Sequence, residues 1–265
     1  MPEAVQSYDH HGLEDVRGRD AGHRTAFRDR TAEVGRFQMA LLGTAALAMW
    51  WDISPDVRAD FEDWHAHEHF PERMGIAGFR RGTRWRSASG GEGMFVMYEM
   101  DDHSVLSSPG YVARLNAPTP WSTRLMPHHR NMVRSQCHVL ASRGGGVARH
   151  ALTLRLSAAA GADGRLRAFL QSLVGELAAR PGLTGAHLLK HQAPNLAMTT
   201  EQKLRQDTDR VADWVFVVCG YDLVSLQKLL ELELSGGRVN DQGAAQAPAG
   251  EIYTVSCSAT SMDVL

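Results

Sequence analysis

From residue 43 onward the chain writes one order of elements twice, and that internal repeat limits the fold more than any single motif does. Apolar periodicity predicts a strand over 44–51, a helix over 55–69, strands over 79–87 and 93–100, a helix over 103–116 and a strand over 132–141. After Gly144-Gly145-Gly146, which reads as a linker, the order returns: strand 147–157, helix 164–180, strands 183–192 and 211–221, helix 223–234, strand 252–258. Two landmarks align the copies. Gly78-Phe79 after the first helix matches Gly182-Leu183, and Phe95-Val96-Met97-Tyr98 with Asp101 matches Phe216-Val217-Val218-Cys219 with Asp222.

The order β-α-β-β-α-β is the ferredoxin-like unit. One unit covers one face of its sheet with helices and leaves the other face in need of a partner. Two in tandem can meet through those faces, so the expected class is α+β: two tandem ferredoxin-like units forming an intrachain α+β barrel. The apolar run Trp214-Val215-Phe216-Val217-Val218 suits a sheet covered on both sides. The expected division is a disordered extension over 1–38, a unit carrying the site over 39–143, and a mainly structural unit over 147–265. Residues 193–210 form a polar insertion without a counterpart in the first half, read as either a lid or a surface loop.

A formal charge of −2 and the absence of a basic run interleaved with aromatics give nucleic acid no footing as a partner. No apolar run approaches the roughly 20 residues of a membrane span. Cys137, Cys219 and Cys257 are far apart and odd in number, which fits a reduced, cytoplasmic setting rather than a disulfide framework or thiolate zinc site. The expected partner is a small-molecule substrate, with a homodimer left open.

The densest chemistry lies in Trp64-His65-Ala66-His67-Glu68-His69-Phe70-Pro71-Glu72-Arg73. At about 100° per residue, Phe61, Trp64 and Glu68 share the core face, His65 and His69 lie one turn apart on one flank, and His67 is exposed on the other. Pro71 is expected to end the helix at Phe70, because the residue before a proline is steered away from helical geometry. The cluster then sits at a helix C-terminus, where the dipole favours imidazolium. A core glutamate beside a histidine must be paired or share a proton. The expected catalytic group is therefore His65, Glu68 and His69, with one imidazole moving a proton and Glu68 setting its tautomer. Two alternatives stand beside it: a capped polar helix end with Glu68 paired to Arg73, and a His65/His69 metal pair that lacks a third ligand.

The element order, the repeat and the segment Trp64-His65-Ala66-His67-Glu68-His69-Phe70-Pro71-Glu72-Arg73-Met74-Gly75-Ile76-Ala77-Gly78-Phe79 resemble the dimeric α+β barrel superfamily of ferredoxin-like proteins. That superfamily includes EthD-like proteins, muconolactone isomerases and antibiotic-biosynthesis monooxygenases. The resemblance implies a small ligand held between the sheet and its two helices, with residues 65–69 lining that cavity. The superfamily hosts isomerases, cofactorless oxygenases, lyases, haem enzymes and non-enzymes, so the fold does not choose among them.

Four further residues are candidate substrate contacts. Arg84 lies on a strand face with Arg80 and Arg86 and could clamp a carboxylate. Arg73 is read first as a salt-bridge partner of Glu68 or Glu72. Trp121, in the stiff Ala117-Pro118-Thr119-Pro120-Trp121 loop, could stack on a flat substrate. Tyr98, like Tyr111, could donate a hydrogen bond. The second-half helix carries an apolar stripe, Leu166, Phe169, Leu170, Leu173, Val174 and Leu177, with no histidine at the end corresponding to residues 65–69.

The leading expectation is an isomerase, lyase or hydrolase that uses no cofactor and moves a proton on a small planar anionic compound of catabolism or secondary metabolism. The rivals are a haem- or divalent-metal-dependent oxidoreductase, monooxygenase-like, using His187, His191 or the helix histidines, and a non-catalytic ligand-binding protein.

Overall fold

The computed structural model describes residues 40–205 and 209–264, so the extension expected over 1–38 lies outside the described residues. Eight strands form a closed barrel in the order β1-β3-β2-β8-β5-β7-β6-β4. They are β1 (Ala45–Asp52), β2 (Phe79–Ser87), β3 (Gly93–Met100), β4 (Arg130–Gly144), β5 (His150–Leu156), β6 (Leu183–His191), β7 (Trp214–Gly220) and β8 (Ala249–Thr260). Each half contributes four strands in the ferredoxin-like order, 4-1-3-2 and 8-5-7-6, and the two sheets join edge to edge through β2–β8 and β4–β6. All pairings are antiparallel, and closure leaves no free sheet edge.

Strand alternation sorts the side chains. Inward residues such as Ala46, Ala48, Trp50, Trp85, Phe95, Met97, Val217 and Tyr253 fill the barrel, with Phe95 stacked at 5.0 Å on both Trp50 and Trp85. The apolar faces left over from each half thus meet inside the barrel. Outward residues of each half pack under that half's helices, forming two further apolar clusters.

The helices begin where short polar side chains accept from backbone N–H groups: Ser108 before α3 (Pro109–Asn116), Thr119 before α4 (Pro120–Leu125) and Asp222 before α7 (Leu223–Lys228). The long helix α5 (Asp163–Ala178) buries Leu166, Leu170, Val174 and Leu177 and fills the space over the second-half sheet. Among the described residues no helix is long and apolar enough to cross a membrane.

Pro71 does not end the first helix. α1 (Arg58–Trp64) runs into a π turn, His65–His69, and then into α2 (Phe70–Met74). The Phe70 N–H reaches back five residues to the His65 carbonyl, which resets the hydrogen-bond register. Pro71 then occupies one of the first positions of the next segment, where its missing N–H costs little. The histidines therefore sit mid-helix.

Candidate functional site

The space between sheet and helices is open in the first half, where a cavity of about 40 Å³ remains. Its floor is the outward face of β1, β3 and β4, with Leu47, Met49 and Trp51 flanked by Tyr98, Met132 and Arg134. His65, His69 and Arg73 descend on it from the first helix, joined by Tyr111 and Leu115 of α3 and by Met126 and His129. The remaining wall comes from the other half of the chain. Thr199, Glu201, Gln202 and Arg205 belong to the polar insertion, whose short helix α6 (Thr200–Leu204) is fixed by a capping box between Thr199 and Gln202. Residues 199–205 of the insertion form a lid over the first-half cavity.

The π turn decides the arrangement of the imidazoles. Within it the rings of His65 and His69 lie 5.2 Å apart between centroids. Both residues are buried, and neither Nδ1 has a hydrogen-bond partner among the described residues. Tyr98 Oη and Arg73 Nη1 are likewise buried and unpartnered. His129 completes the cluster, with its ring 5.0 Å from that of Trp51 and its Nδ1 3.1 Å from the Met126 carbonyl oxygen.

Burial decides the protonation states. It lowers the pKa of His65 and of His69 well below 6.5, assisted by the guanidinium charges of Arg84 for His65 and Arg73 for His69. Burial also lowers His129, to about 3. The imidazolium expected from the helix dipole is thus not the resting form; the cavity holds neutral imidazoles. Burial raises the Tyr98 phenol, which stays protonated. Burial is the largest single influence on Arg73 and opposes its charge, but Glu201, Tyr111 and Tyr98 together outweigh it and raise the guanidinium pKa.

Of the residues expected at the site, His65, His69, Arg73 and Tyr98 line the cavity, and Glu68, Arg84 and Trp121 do not. Glu68 orients no imidazole. It accepts from Trp64 Nε1 at 2.9 Å, Thr119 Oγ1 at 2.5 Å and Ser122 Oγ at 3.3 Å, so it ties the helix to the start of α4. The helical projection aimed it at the core, but Trp64 and two hydroxyls intercept it. Arg73 pairs with Glu201 at 2.5 Å rather than with Glu68 or Glu72, and Glu72 pairs with Arg114. Arg84 is buried behind the helix, donating to Ser256 Oγ and to the Glu62 carbonyl at 3.1 Å each. Trp121 donates to Asp60 Oδ1 at 2.9 Å at the protein surface. His67 is exposed, as expected, beside Asp63.

Sequence reasoning missed His129, Arg134 and the lid residues. Arg134 carried a usable signal, since alternation on β4 sets it on the face of Met132. The lid carried none, because nothing local ties a polar insertion to a cavity built by the other half.

The two strand histidines named as haem or metal ligands are engaged in hydrogen bonds. His187 commits Nδ1 to Ser142 Oγ at 2.8 Å and Nε2 to the Gly145 carbonyl at 3.3 Å, and His191 Nδ1 accepts from the Gln136 N–H at 3.1 Å. Among the described residues no three His, Cys, Asp or Glu side chains converge as a metal cluster.

No protein-family model matches the chain, and no curated protein matches it in sequence. Solved structures do match it in fold. An anthrone oxidase-like protein superposes with a TM-score of 0.57 over 84% of this chain and 95% of its own, at 13% identity. A candidate monooxygenase from Fusobacterium nucleatum gives 0.54 over 83% and 96%, at 9% identity. A ferredoxin-fold protein from Listeria monocytogenes, related to antibiotic-biosynthesis monooxygenases, covers 82% of this chain and 97% of its own at 11% identity, with a TM-score of 0.43. The fold shared with these structures is an eight-strand antiparallel barrel, closed here within one chain from two halves of ferredoxin-like strand order.

Proposed function

We propose that this protein is a small-molecule enzyme that moves a proton on its substrate without an organic cofactor, as an isomerase, lyase or hydrolase. The observation that carries this reading is the set of five buried polar atoms without a partner among the described residues at one cavity: Trp51 Nε1, His65 Nδ1, His69 Nδ1, Tyr98 Oη and Arg73 Nη1. Leaving such atoms unpaired costs about 1–3 kcal/mol each, which a complementary ligand recovers. A neutral imidazole takes a proton from an acidic C–H or O–H of the substrate and returns it to another atom or to a leaving group. Arg73 and Tyr98 hold the negative charge that develops on a substrate oxygen in the meantime. Closure of the lid excludes water and strengthens both contacts.

The test is a screen of carbon acids and hydroxy acids with the purified protein in D2O, read by NMR for deuterium incorporation and for new products. Incorporation that disappears in His65→Ala or His69→Ala supports the reading. Turnover that consumes dioxygen replaces it with an oxygenase of the kind that the similar structures' descriptions suggest. Tight binding with neither exchange nor turnover makes the protein a ligand carrier.

A further inference from the structure

Among the described residues, the cavity carries an excess of one positive charge. Three guanidiniums reach it, those of Arg73, Arg134 and Arg205, and each is at least nine-tenths buried. Two are matched by carboxylates: Arg73 by Glu201 at 2.5 Å and Arg205 by Asp209 at 2.8 Å. Arg134 has no carboxylate partner among the described residues; its Nη2 donates to the Tyr111 hydroxyl at 3.0 Å. The histidines add no charge, being neutral. A buried guanidinium without a counter-charge is costly, and the cost is relieved by an anion at its free edge.

The strand register shows where that anion lies relative to the imidazoles. Along β1 the outward residues Leu47, Met49 and Trp51 follow at about 7 Å intervals. Trp51 sits beside the rings of His65 and His129, at 6.2 and 5.0 Å. Met49 is paired across the sheet with Arg134, and Leu47 with Tyr98. The helix runs back over this floor from His65 through His69 to Arg73. A ligand group held at Arg134 and Tyr111 therefore leaves the rest of a small molecule under the imidazoles.

We infer that the cavity selects a small organic monoanion and that Arg134 binds its carboxylate or equivalent oxyanion. This rests on the reading of the cavity as a substrate site and names the substrate class that reading leaves open. A second negative charge on the ligand meets Glu201, so a dianion is disfavoured. Arg134 is a specificity-determining residue that the histidine motif gives no hint of.

The test is calorimetric titration of the full chain at pH 7.5 with acetate and benzoate, their neutral analogues acetamide and benzamide, and the dianion phthalate. The expected result is binding of at least one monocarboxylate, with its amide and the dianion weaker by about 30-fold or more, as for truncating one side of a buried charge pair. Arg134→Gln erases the preference. Arg134→Lys, which keeps the charge, retains it with weaker binding, and covers the case in which the glutamine variant fails to fold. Arg155→Met, which removes a cation from a separate groove at the mouth of the barrel, leaves the preference intact. Equal affinity for acid and amide, failure of every probe to bind, or an unaltered preference in Arg134→Gln overturns the assignment. Monoanion selectivity without proton exchange on any substrate overturns the catalytic reading alone.

Discussion

Arg73 and Glu201 stand 128 residues apart in the chain and meet at 2.5 Å in the wall of the cavity. The pair joins the histidine-bearing helix of the first half to the lid supplied by the second, and both side chains are almost fully buried. Breaking a buried pair by removing one partner costs about 3–5 kcal/mol when the other charge stays buried. The short lid helix is the cheaper element to release, so Glu201→Ala frees the lid rather than unfolding the barrel. Hydrogen exchange then shows lost protection confined to residues around 199–205, with β5 and β7 unchanged. Uniform loss over the barrel strands contradicts this.

The π turn makes a prediction about catalysis. With His65 and His69 both neutral and facing the cavity, replacing the one that acts as base lowers turnover by about 10²-fold or more. His67→Ala is nearly silent because its ring lies outside, against Asp63. The pH profile separates base catalysis from a packing defect. Since burial lowers both imidazole pKa values, kcat/KM holds level as pH falls through 6.5 and declines only well below it. A decline centred near 6.5 places the base on an exposed histidine.

How far the sequence reached is visible in particular residues. Strand alternation placed β2 and β3 to the residue, because a buried strand can lose no register without turning its side chains inside out. The landmarks Gly78 and Gly182 proved to be equivalent turns, with φ of +94° and +87°. Pro71 misled because a proline rule assumes an unbroken helical register, which the π turn abandons. Glu68 and Arg84 were placed on the right faces but lost to neighbours, Thr119 and Ser256, that no local pattern brings near. The lid needed the closed barrel to be seen at all, whereas alternation along β4 already set Arg134 on the face of Met132.

Gly182 supports a stability prediction of its own. Its φ of +87° is strained for any residue with a side chain, and a Cβ there falls 2.4 Å from Ser225 Oγ. Gly182→Ala lowers stability by about 2 kcal/mol, from backbone strain and the displaced Asp222–Ser225 cap. Urea unfolding measures it. Gly164→Ala, at an open helical position, is the control and holds or raises stability.

Acid sensitivity above the carboxylate range follows from the same buried imidazoles. Burial depresses the folded-state pKa of His65 and His69 well below 6.5, that of His129 to about 3 and that of His187 to about 4. In the unfolded chain these groups titrate near 6.5. Between the two values the unfolded state takes up protons that the native state refuses, so stability is full above about 6.5 and falls as pH drops. Each buried histidine contributes a loss of about 1.4 kcal/mol per pH unit once below that point. Urea midpoints at pH 7.5 and 5.5 therefore differ by several such increments in the wild type. His129→Gln, whose amide can still donate to the Met126 carbonyl, removes one of them. Equal midpoints at the two pH values mean that the imidazoles are hydrated in the native state and that the cavity is open to water.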